Sequence, residues 1–543
     1  MRNFYRLLLL LSALAPAGAY AQLLLMPEIW VKSITLPGFP AFHSGVVAEH
    51  DGKWFMMGGR TNGMHGFYPP FAFPGNGRQD RIYVVDPDDG SVWSSGIDGL
   101  DTLVREQLSS SNMQFSEYNG RLYIVGGYGY HEAIDDFTTF PYLTSVNLDA
   151  LRDSVIGGGD LNACFHTVID SGMAVAGGRL GRVDDRFFLA CGHYFHHRYS
   201  SADLGDFIQR YTYQVRMFDI LDSAGSLSAE NKTTVTDSVL FRRRDFSMTA
   251  YSEGGGKGLI VWSGVFRDSV DLPHYKPIRI HADGTYETIP LDQKMAHYQT
   301  GAMSLKGTNG QSFPPGSQNL HFFFGGMAEY YLDSLSNVVQ DSLVPFVKTF
   351  SSVHLGSAAP QENYFGILPV AYDYGGMDPD HIRYAFEGFE GTNMEFIPNR
   401  QYLAAGVEVL EIDPYAGTPV KLGYLVGGIE STGRNIADMN DPSLSFASGK
   451  IYEVYYRSTM TGGIDENTAH AVRVYPNPAT DRINVQVDGP VQRWEVVDVA
   501  GKALVAGTGA GNQSLDVSAL KTGAYFLKVF TTDRVYHATF IKQ

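Results

Sequence analysis

Six times between residues 22 and 460 a short apolar run ends in a glycine pair or near-pair, and this recurrence constrains the fold more than any other feature of the chain. The runs are Trp54-Phe-Met-Met-Gly-Gly59, Leu122-Tyr-Ile-Val-Gly-Gly127, Phe187-Phe-Leu-Ala-Cys-Gly192, Leu259-Ile-Val-Trp-Ser-Gly264, His321-Phe-Phe-Phe-Gly-Gly326 and Gly423-Tyr-Leu-Val-Gly-Gly428. Aligned on the last glycine, they lie 62 to 72 residues apart up to Gly326 and 102 apart at the final step. Such self-similarity marks a repeat architecture, in which one supersecondary unit is reused. A second segment rich in small residues precedes each run: His43 to Ala48, Asn112 to Ser116, Gly172 to Ala176, Asp245 to Ala250, Tyr298 to Met303 and Tyr402 to Val407. Small side chains let strands crowd around a common axis, so these segments are expected to be inner strands. Arg81 to Asp86, followed by the turn Asp88-Asp-Gly90 and Ser91-Val-Trp93, reads as an outer hairpin. Composition agrees: 60 glycines, 13% aromatic, 44% hydrophobic and 18% charged residues describe a globular β-rich chain and exclude a disordered, collagenous or coiled-coil one.

The pattern resembles the kelch repeat, through Gly58-Gly59, Tyr83 and Trp93 of the first unit. Later units keep the glycines and lose the Tyr/Trp pair, and units three and four keep only Gly192 and Gly264. The resemblance implies an all-β, kelch-like β-propeller over residues 22–460. Six blades is the expected count; the 102-residue interval leaves open a seventh, glycine-poor one around Tyr364 to Glu387. A propeller has to close without a long exposed edge. Residues 28 to 35, Glu-Ile-Trp-Val-Lys-Ser-Ile-Thr, are expected to supply the outermost strand of the last blade, which otherwise ends at Ile451 to Tyr456.

The termini read as addresses. Residues 1–21 carry Arg2 and Arg6, an apolar run from Leu7, and Ala19-Tyr20-Ala21, the layout of a secretory signal peptide cleaved after Ala21. No later segment reaches the roughly 18 uninterrupted apolar residues of a membrane helix. Residues 461–471 read as a polar, Gly-containing linker, and 472–543 as a small antiparallel β-sandwich of alternating strands. This last segment resembles the type A C-terminal sorting domain of the type IX secretion system of Bacteroidota. The resemblance rests on Tyr475-Pro476-Asn477-Pro478, the Val497-Asp-Val-Ala-Gly501 turn, the block Leu520 to Phe526 with Gly523 and Tyr525, and Lys542 near the end. It implies passage to the periplasm, recognition by an outer-membrane translocon, usual removal by a sortase-like transpeptidase, and lipopolysaccharide attachment or release.

Six second-to-third connections are expected to be long and to share one face, beginning at Arg60, Tyr128, His193, Val265, Met327 and Ile429. Function is usually carried by elaborated loops on a rigid scaffold. The candidate ligand face comprises His43, Arg60, Tyr68, Tyr130, His193, Arg244, Arg267, Tyr275, His297, Tyr330, Arg400 and Arg434. Aromatic faces with guanidinium forks suit a glycan, a peptide or a protein surface. With 58 acidic and 41 basic side chains, a formal charge of −17, nucleic acid is an unexpected partner. No cofactor or metal is expected: Cys191-Gly-His-Tyr-Phe-His-His197 matches no zinc spacing, and no phosphate loop, nucleophile elbow or zinc-protease helix is present. A disulfide between Cys164 and Cys191 is left open. Asp-Ser/Thr-apolar triplets, such as those at Asp237 and Asp341, look like O-glycosylation acceptors of exported Bacteroidota proteins and equally like ordinary turns.

A secreted or surface binding protein is therefore the first functional reading. The alternative is an extracellular carbohydrate-active enzyme of kelch-propeller type, a sugar oxidase or mutarotase; the metal set such an oxidase needs is not assignable here. A structural surface-layer role is a third.

Overall fold

The computed structural model describes residues 24–543 apart from 67–70, 200–206, 224, 314–316, 334–336, 357–358, 366–381, 384, 437–438, 440, 462–472, 488–490, 499–502, 510–512 and 532–534. The signal cleavage residue Ala21, Tyr68 and Gly501 lie outside the described residues. Strands account for 54% of the structure, against two α-helices among the described residues, Thr102–Leu108 and Leu148–Gly157, so the fold is all-β. It divides into two compact units, one of residues 27–369 with 374–457, the other containing 458–543.

The apolar runs become strands because both of their faces are covered. Trp54 to Met57, Leu122 to Val125, Phe187 to Ala190 and Leu259 to Trp262 are almost wholly buried. Each is the second strand of an antiparallel sheet built in chain order. Sheet I runs Val46–His50, Lys53–Met57, Arg81–Val85, Val92–Gly96. Sheet II follows as Gln114–Tyr118, Arg121–Val125, Tyr142–Asn147, Phe165–Ile169, and sheet III as Arg179–Val183, Arg186–Ala190, Gln214–Ser223, Ser226–Thr236. Sheet IV is Ser247–Glu253, Gly256–Trp262, Ile278–His281, Tyr286–Thr288; sheet V is Gly301–Gly307, Ser317–Met327, Phe346–Gly356, Gln361–Phe365. Sheet VI is Glu395–Pro398, Val420–Val426, Ile451–Thr461 and then, from the other end of the chain, Leu24–Ile34.

Six hydrophobic clusters join these sheets face to face in cyclic order. Phe55 and Val84 meet Leu122 and Ile124 between I and II; Val125 and Leu143 meet Phe187 and Phe218 between II and III; Phe188 and Val215 meet Val261 and Ile280 between III and IV. Trp262 meets Phe323 and Val353 between IV and V; Phe324 and Phe350 meet Leu425 and Val454 between V and VI. Ile397, Val426 and Ile451 then return to Trp54, Met56 and Val85 of sheet I. A hydrogen-bonded ring runs through the same six units at the start of their first strands. The amides of Asn112, Gly177, Asp245, Gln299 and Asn393 each donate to the preceding unit, onto Ser44 O (2.9 Å), Asn112 O (3.2 Å), Gly177 O (2.7 Å), Asp245 O (2.8 Å) and Gln299 O (2.9 Å). Asn393 Nδ2 donates to Ser44 Oγ (2.8 Å) and links last to first.

The glycine pairs have a steric origin. Gly58 and Gly59 take φ of +68° and +81°, and the two single-glycine units place Cys191 (+52°) and Ser263 (+48°) in the first left-handed position, keeping glycine only in the second. That second position admits no side chain: a Cβ on Gly59 would lie 2.3 Å from His43 O and 2.6 Å from Gly45 N. Gly59→Ala is expected to cost at least ~2 kcal/mol, from a left-handed backbone and a clash with main chain that has no room to move. Chemical denaturation of the variant checks this.

Two expected inner strands are corrected. Gly172 to Ala176 is a short 3-10 turn and approach, and the first strand of sheet III is Arg179–Val183. Tyr402 to Val407 lies in an insertion between the first two strands of sheet VI, whose first strand is Glu395–Pro398. The insertion carries Leu410–Ile412, which pairs parallel with Gly301–Gly307 of sheet V. Of the region left open for a seventh unit, Tyr364 belongs to the fourth strand of sheet V and Ile382–Arg383 pairs with Val31 and Lys32; the stretch 366–381 between them lies outside the described residues. The N-terminal strand takes the expected place beside Ile451–Thr461, with the two-residue strand Ile382–Arg383 paired outside it. Trp30 is fully buried and stacks on Tyr455 at 5.6 Å, and Glu28 pairs with Arg457 at 2.8 Å.

The C-terminal unit packs a three-stranded sheet (Arg473–Tyr475, Arg482–Gln486, Gln513–Asp516) against a four-stranded one (Ala503–Thr508, Val491–Val497, Gly523–Thr531, Val535–Lys542) around Ile483, Val496, Leu527 and Phe540. Its motif residues, distant in sequence, converge on the last strand. Asn477 Oδ1 accepts from Ile541 N (2.9 Å), and its Nδ2 donates to Thr539 O (3.1 Å). Tyr525 stacks on Phe540 at 5.7 Å and donates to Lys521 O (2.8 Å). Lys542 is buried, and Ala479, next after Pro478, bridges to it.

Candidate functional site

All six second-to-third connections are long, and those of sheets II, III, V and VI carry strands of their own among the described residues. Tyr128–His131, Asp136–Thr139, His193–His196 and Ile208–Tyr211, from the loops of sheets II and III, join into one accessory sheet. The sheet V loop forms the hairpin Tyr330–Leu332 with Val338–Gln340, and the sheet VI loop pairs Ile429–Ser431 with Ser445–Ala447 and with Phe389–Thr392. Most hairpins between first and second strands are tight, such as Asp51-Gly52 and Asn119-Gly120.

Between the loops of sheets I and II lies a cleft of about 480 Å³. Arg60, Phe73 and Arg78 form one wall, Tyr128, Tyr130 and Phe137 the other, and the helix Thr102–Leu108 contributes Arg105 and Glu106. Phe73 meets Tyr128 edge-on at 4.9 Å, and Tyr130 meets Phe137 at 5.8 Å. Glu106 is fully engaged: it accepts from Glu132 N (2.9 Å) and Tyr142 OH (2.9 Å) and contacts His131 Nδ1 (2.9 Å). Arg105 pairs with Glu132 at 2.8 Å.

The remaining predicted residues fall into separate groups. His43 sits behind Arg60, with Nδ1 on Ser44 Oγ (2.9 Å) and Nε2 on Asn62 O (2.9 Å). Burial, then the Arg60 charge, pushes its pKa down to about 3. His193 receives Gln209 Nε2 on Nδ1 (2.7 Å), and burial followed by Arg244 holds it well below the usual imidazole range. Arg244 pairs with Asp245, and its guanidinium lies 5.2 Å over Phe266. Arg267, Tyr275, His297 and Tyr330 do meet, around the fully buried Glu329. Tyr275 OH donates to Glu329 Oε2 (2.6 Å), Gln340 Nε2 donates to Oε1 (2.7 Å), and Glu329 N donates to His297 Nδ1 (3.0 Å). Arg267 covers Tyr275 at 4.8 Å, and His297 and Tyr330 are 6.3 Å apart. Arg434 stacks at 3.7 Å over Tyr331.

Arg400 is corrected: it lies at the other end of the strands, between Glu49 and Glu117, which follow the ring residues Ser44 and Asn112 by one strand length. Its insertion borders a second cavity of about 330 Å³ lined by the first strands of all six sheets. Inside, Arg179 pairs with Glu395 (3.1 Å), to which Gln299 also donates (2.7 Å). The neighbouring Glu408 has its pKa raised by burial and lowered in part by Arg400.

The cysteines are both free and belong to different clusters, Cys164 between sheets I and II and Cys191 between III and IV. The histidines after Cys191 diverge, His193 to Gln209 and His197 to Asp136 (2.6 Å). Among the described residues, three groups with metal-ligating atoms converge at His50, Asp51 and Asp149, where Arg152 already pairs with Asp149 at 2.9 Å. Asp237 and Asp341 make turns, accepting from Val239 N (2.9 Å) and Leu343 N (3.0 Å). Sequence reasoning missed the helix behind the cleft, although Asp101 before Thr-Leu-Val-Arg-Glu-Gln-Leu108 has the acidic start and strong helix formers that announce one.

The buried histidines make the loop-rich side acid-sensitive. His43 at about 3, His65 at about 4 and His297 at about 4 are each depressed chiefly by burial. Their neutral forms contribute stability that is whole above the unfolded value near 6.5 and is lost as pH falls toward 4. The melting temperature is expected to drop over that window, and His297→Gln to reduce the drop; calorimetry at stepped pH checks both.

Residues 473–543 match the family model described as "Secretion system C-terminal sorting domain". No curated protein matches the chain. A solved structure described as "Structure of YjhT" is similar at 10% identity, covering 61% of this chain and 97% of that one, with a TM-score of 0.34. Among the described residues no helix is long and apolar enough to cross a membrane. The match of residues 473–543 to a secretion-system sorting domain supports export by type IX secretion to the cell surface or extracellular space and an interaction with that machinery.

Proposed function

We propose that the 27–457 unit is a six-bladed, kelch-like β-propeller whose loop-rich face binds a glycan, peptide or protein ligand outside the cell, after delivery by the translocon and processing by a sortase-like transpeptidase. The single observation that carries this reading is the one-sided elaboration of the sheets. The second-to-third connections build accessory sheets and an aromatic, arginine-lined cleft, while the opposite ends of the strands close on tight hairpins and on the Arg400 insertion. The cyclic cores and the inter-unit ring support the propeller, because both require the sixth sheet to meet the first. A rigid scaffold that gathers several loops on one side suits recognition.

The test is a binding screen of the full chain against immobilised glycans and peptides. Tyr130→Ala and Tyr275→Ala are expected to weaken a genuine hit by at least ~tenfold, as aromatic anchors do. Lys232→Ala, on the outermost strand of sheet III, is expected to leave it unchanged. A hit lost only in the Lys232 variant would overturn the assignment of the face.

A further inference from the structure

We infer that the cleft between the loops of sheets I and II is the ligand subsite and that it takes a saccharide bearing a carboxylate. This rests on the loop-face reading above and deepens it. The argument starts from Arg60, which is only 7% exposed. Its Nε donates to Asn62 Oδ1 (2.9 Å) and its Nη2 to Pro74 O (2.8 Å) and Asn76 O (3.1 Å). All three acceptors are neutral, and Nη1 is left unspent on the cleft. The charge has no carboxylate beside it: burial alone drives its pKa down to about 10, and the one group acting against this is Tyr128. A buried arginine without a counter-ion is costly, and arginine is rarely buried unless paired.

Arg243 shows what a purely structural arginine looks like in this fold. It is fully buried and held by Leu240 O and Ser263 O, and it lines neither of the two cavities described. Arg60 differs in facing an open cleft of about 480 Å³, within the size range of small-molecule sites. Arg78 stands next to it, exposed and with its backbone bridged to that of Arg60. Both side chains line the cleft and can offer guanidinium donors to an anion there. The acids around the cleft do not fill that role. Glu106 is spent on His131, Tyr142 and the Glu132 amide, Glu132 on Arg105, and Asp98 is exposed.

The opposite wall sets the rest of the ligand. The rings of Tyr128, Tyr130 and Phe137 present flat apolar surfaces, as the C–H face of a sugar requires, and Asp98 can accept from hydroxyls. The formal charge of the chain, −17, disfavours a polyanion and leaves a singly charged ligand, drawn to a local pair of arginines, as the better fit.

The experiment is an array of uronate-containing oligosaccharides, their neutral counterparts and acidic peptides, probed with the purified full chain and followed by calorimetry. Uronate-containing oligosaccharides are expected to be retained selectively, with affinity falling as salt rises. Arg60→Met is expected to weaken binding ~30-fold or more, the loss seen when one partner of a buried charge pair is removed. Arg78→Ala is expected to weaken it ~threefold to tenfold, and Lys232→Ala, on the outermost strand of sheet III, to leave it unchanged. If Arg60→Met fails to fold, the exposed Arg78→Ala and the salt dependence decide. Retention of neutral glycans, or of acidic peptides, with loss in Tyr130→Ala would overturn the carboxylate subsite and leave the loop face standing. Retention of nothing on the array would overturn the carboxylate subsite.

Discussion

Protein lacking residues 28–34 is expected to lose the cooperative unfolding transition of the 27–457 unit. These residues lie far in sequence from the other strands of their sheet, yet they pair between Ile451–Thr461 and Ile382–Arg383. Ile29, Trp30 and Val31 are each at most 4% exposed, and Ile29 and Val31 share a cluster with Phe324, Leu425 and Val454. Burying three such side chains contributes about 5–8 kcal/mol, which is comparable with the whole stability of an ordinary domain. The deletion also opens a long unpaired edge on Ile451–Thr461, a template for aggregation. Trp30→Ala is the milder form, expected to cost about 3–5 kcal/mol. Urea titration followed by tryptophan fluorescence and circular dichroism measures both; a deletion variant that melts like the parent would show that the sixth sheet does not depend on this strand.

Removal of residues 473–543 is expected to abolish delivery without touching the rest of the chain. The sorting unit has its own core, from Ala479 to Phe540, and the six clusters of the 27–457 unit are built without it. The truncated protein is expected to accumulate inside the outer membrane, with surface-accessible material reduced at least ~tenfold, while its thermal unfolding transition persists. Protease accessibility on intact cells, compared with lysed cells, reads the distribution. Asn477→Ala tests the motif itself, since it breaks the two hydrogen bonds to Ile541 and Thr539 that fix the Pro-Asn-Pro turn on the last strand. Normal surface display of the truncated protein would refute the sorting role.

The second strand of every sheet is legible in the amino-acid sequence because it is buried on both faces, and a continuous apolar run such as Trp54 to Met57 or Phe322 to Phe324 has no other comfortable place. The loops between second and third strands follow from the same runs. First strands are less legible. That of sheet III, Arg179-Leu-Gly-Arg-Val183, has arginines lining the interior cavity, whereas the nearby Gly172 to Ala176 carries the small residues typical of an inner strand. In sheet VI the insertion that begins at Asn399 separates the first strand from the second, and its own small residues, Ala404 and Ala405, imitate an inner strand. The candidate site is legible as a face and not as a pocket. Arg60 and Tyr130 were named from their loops, but what makes a cleft of them is the packing of Phe73 on Tyr128 and of Tyr128 on Phe195, contacts between loops of three different sheets that no local pattern encodes.

Hydrogen–deuterium exchange of the full chain, with and without the array member it binds most tightly, tests the central claim most directly. Protection is predicted on peptides covering residues 58–80 and 126–141, the loops that wall the cleft, with no change at residues 49–52, 184–186 and 399–412 at the opposite ends of the strands. Protection confined to the opposite ends, with the loops unchanged, would contradict the account.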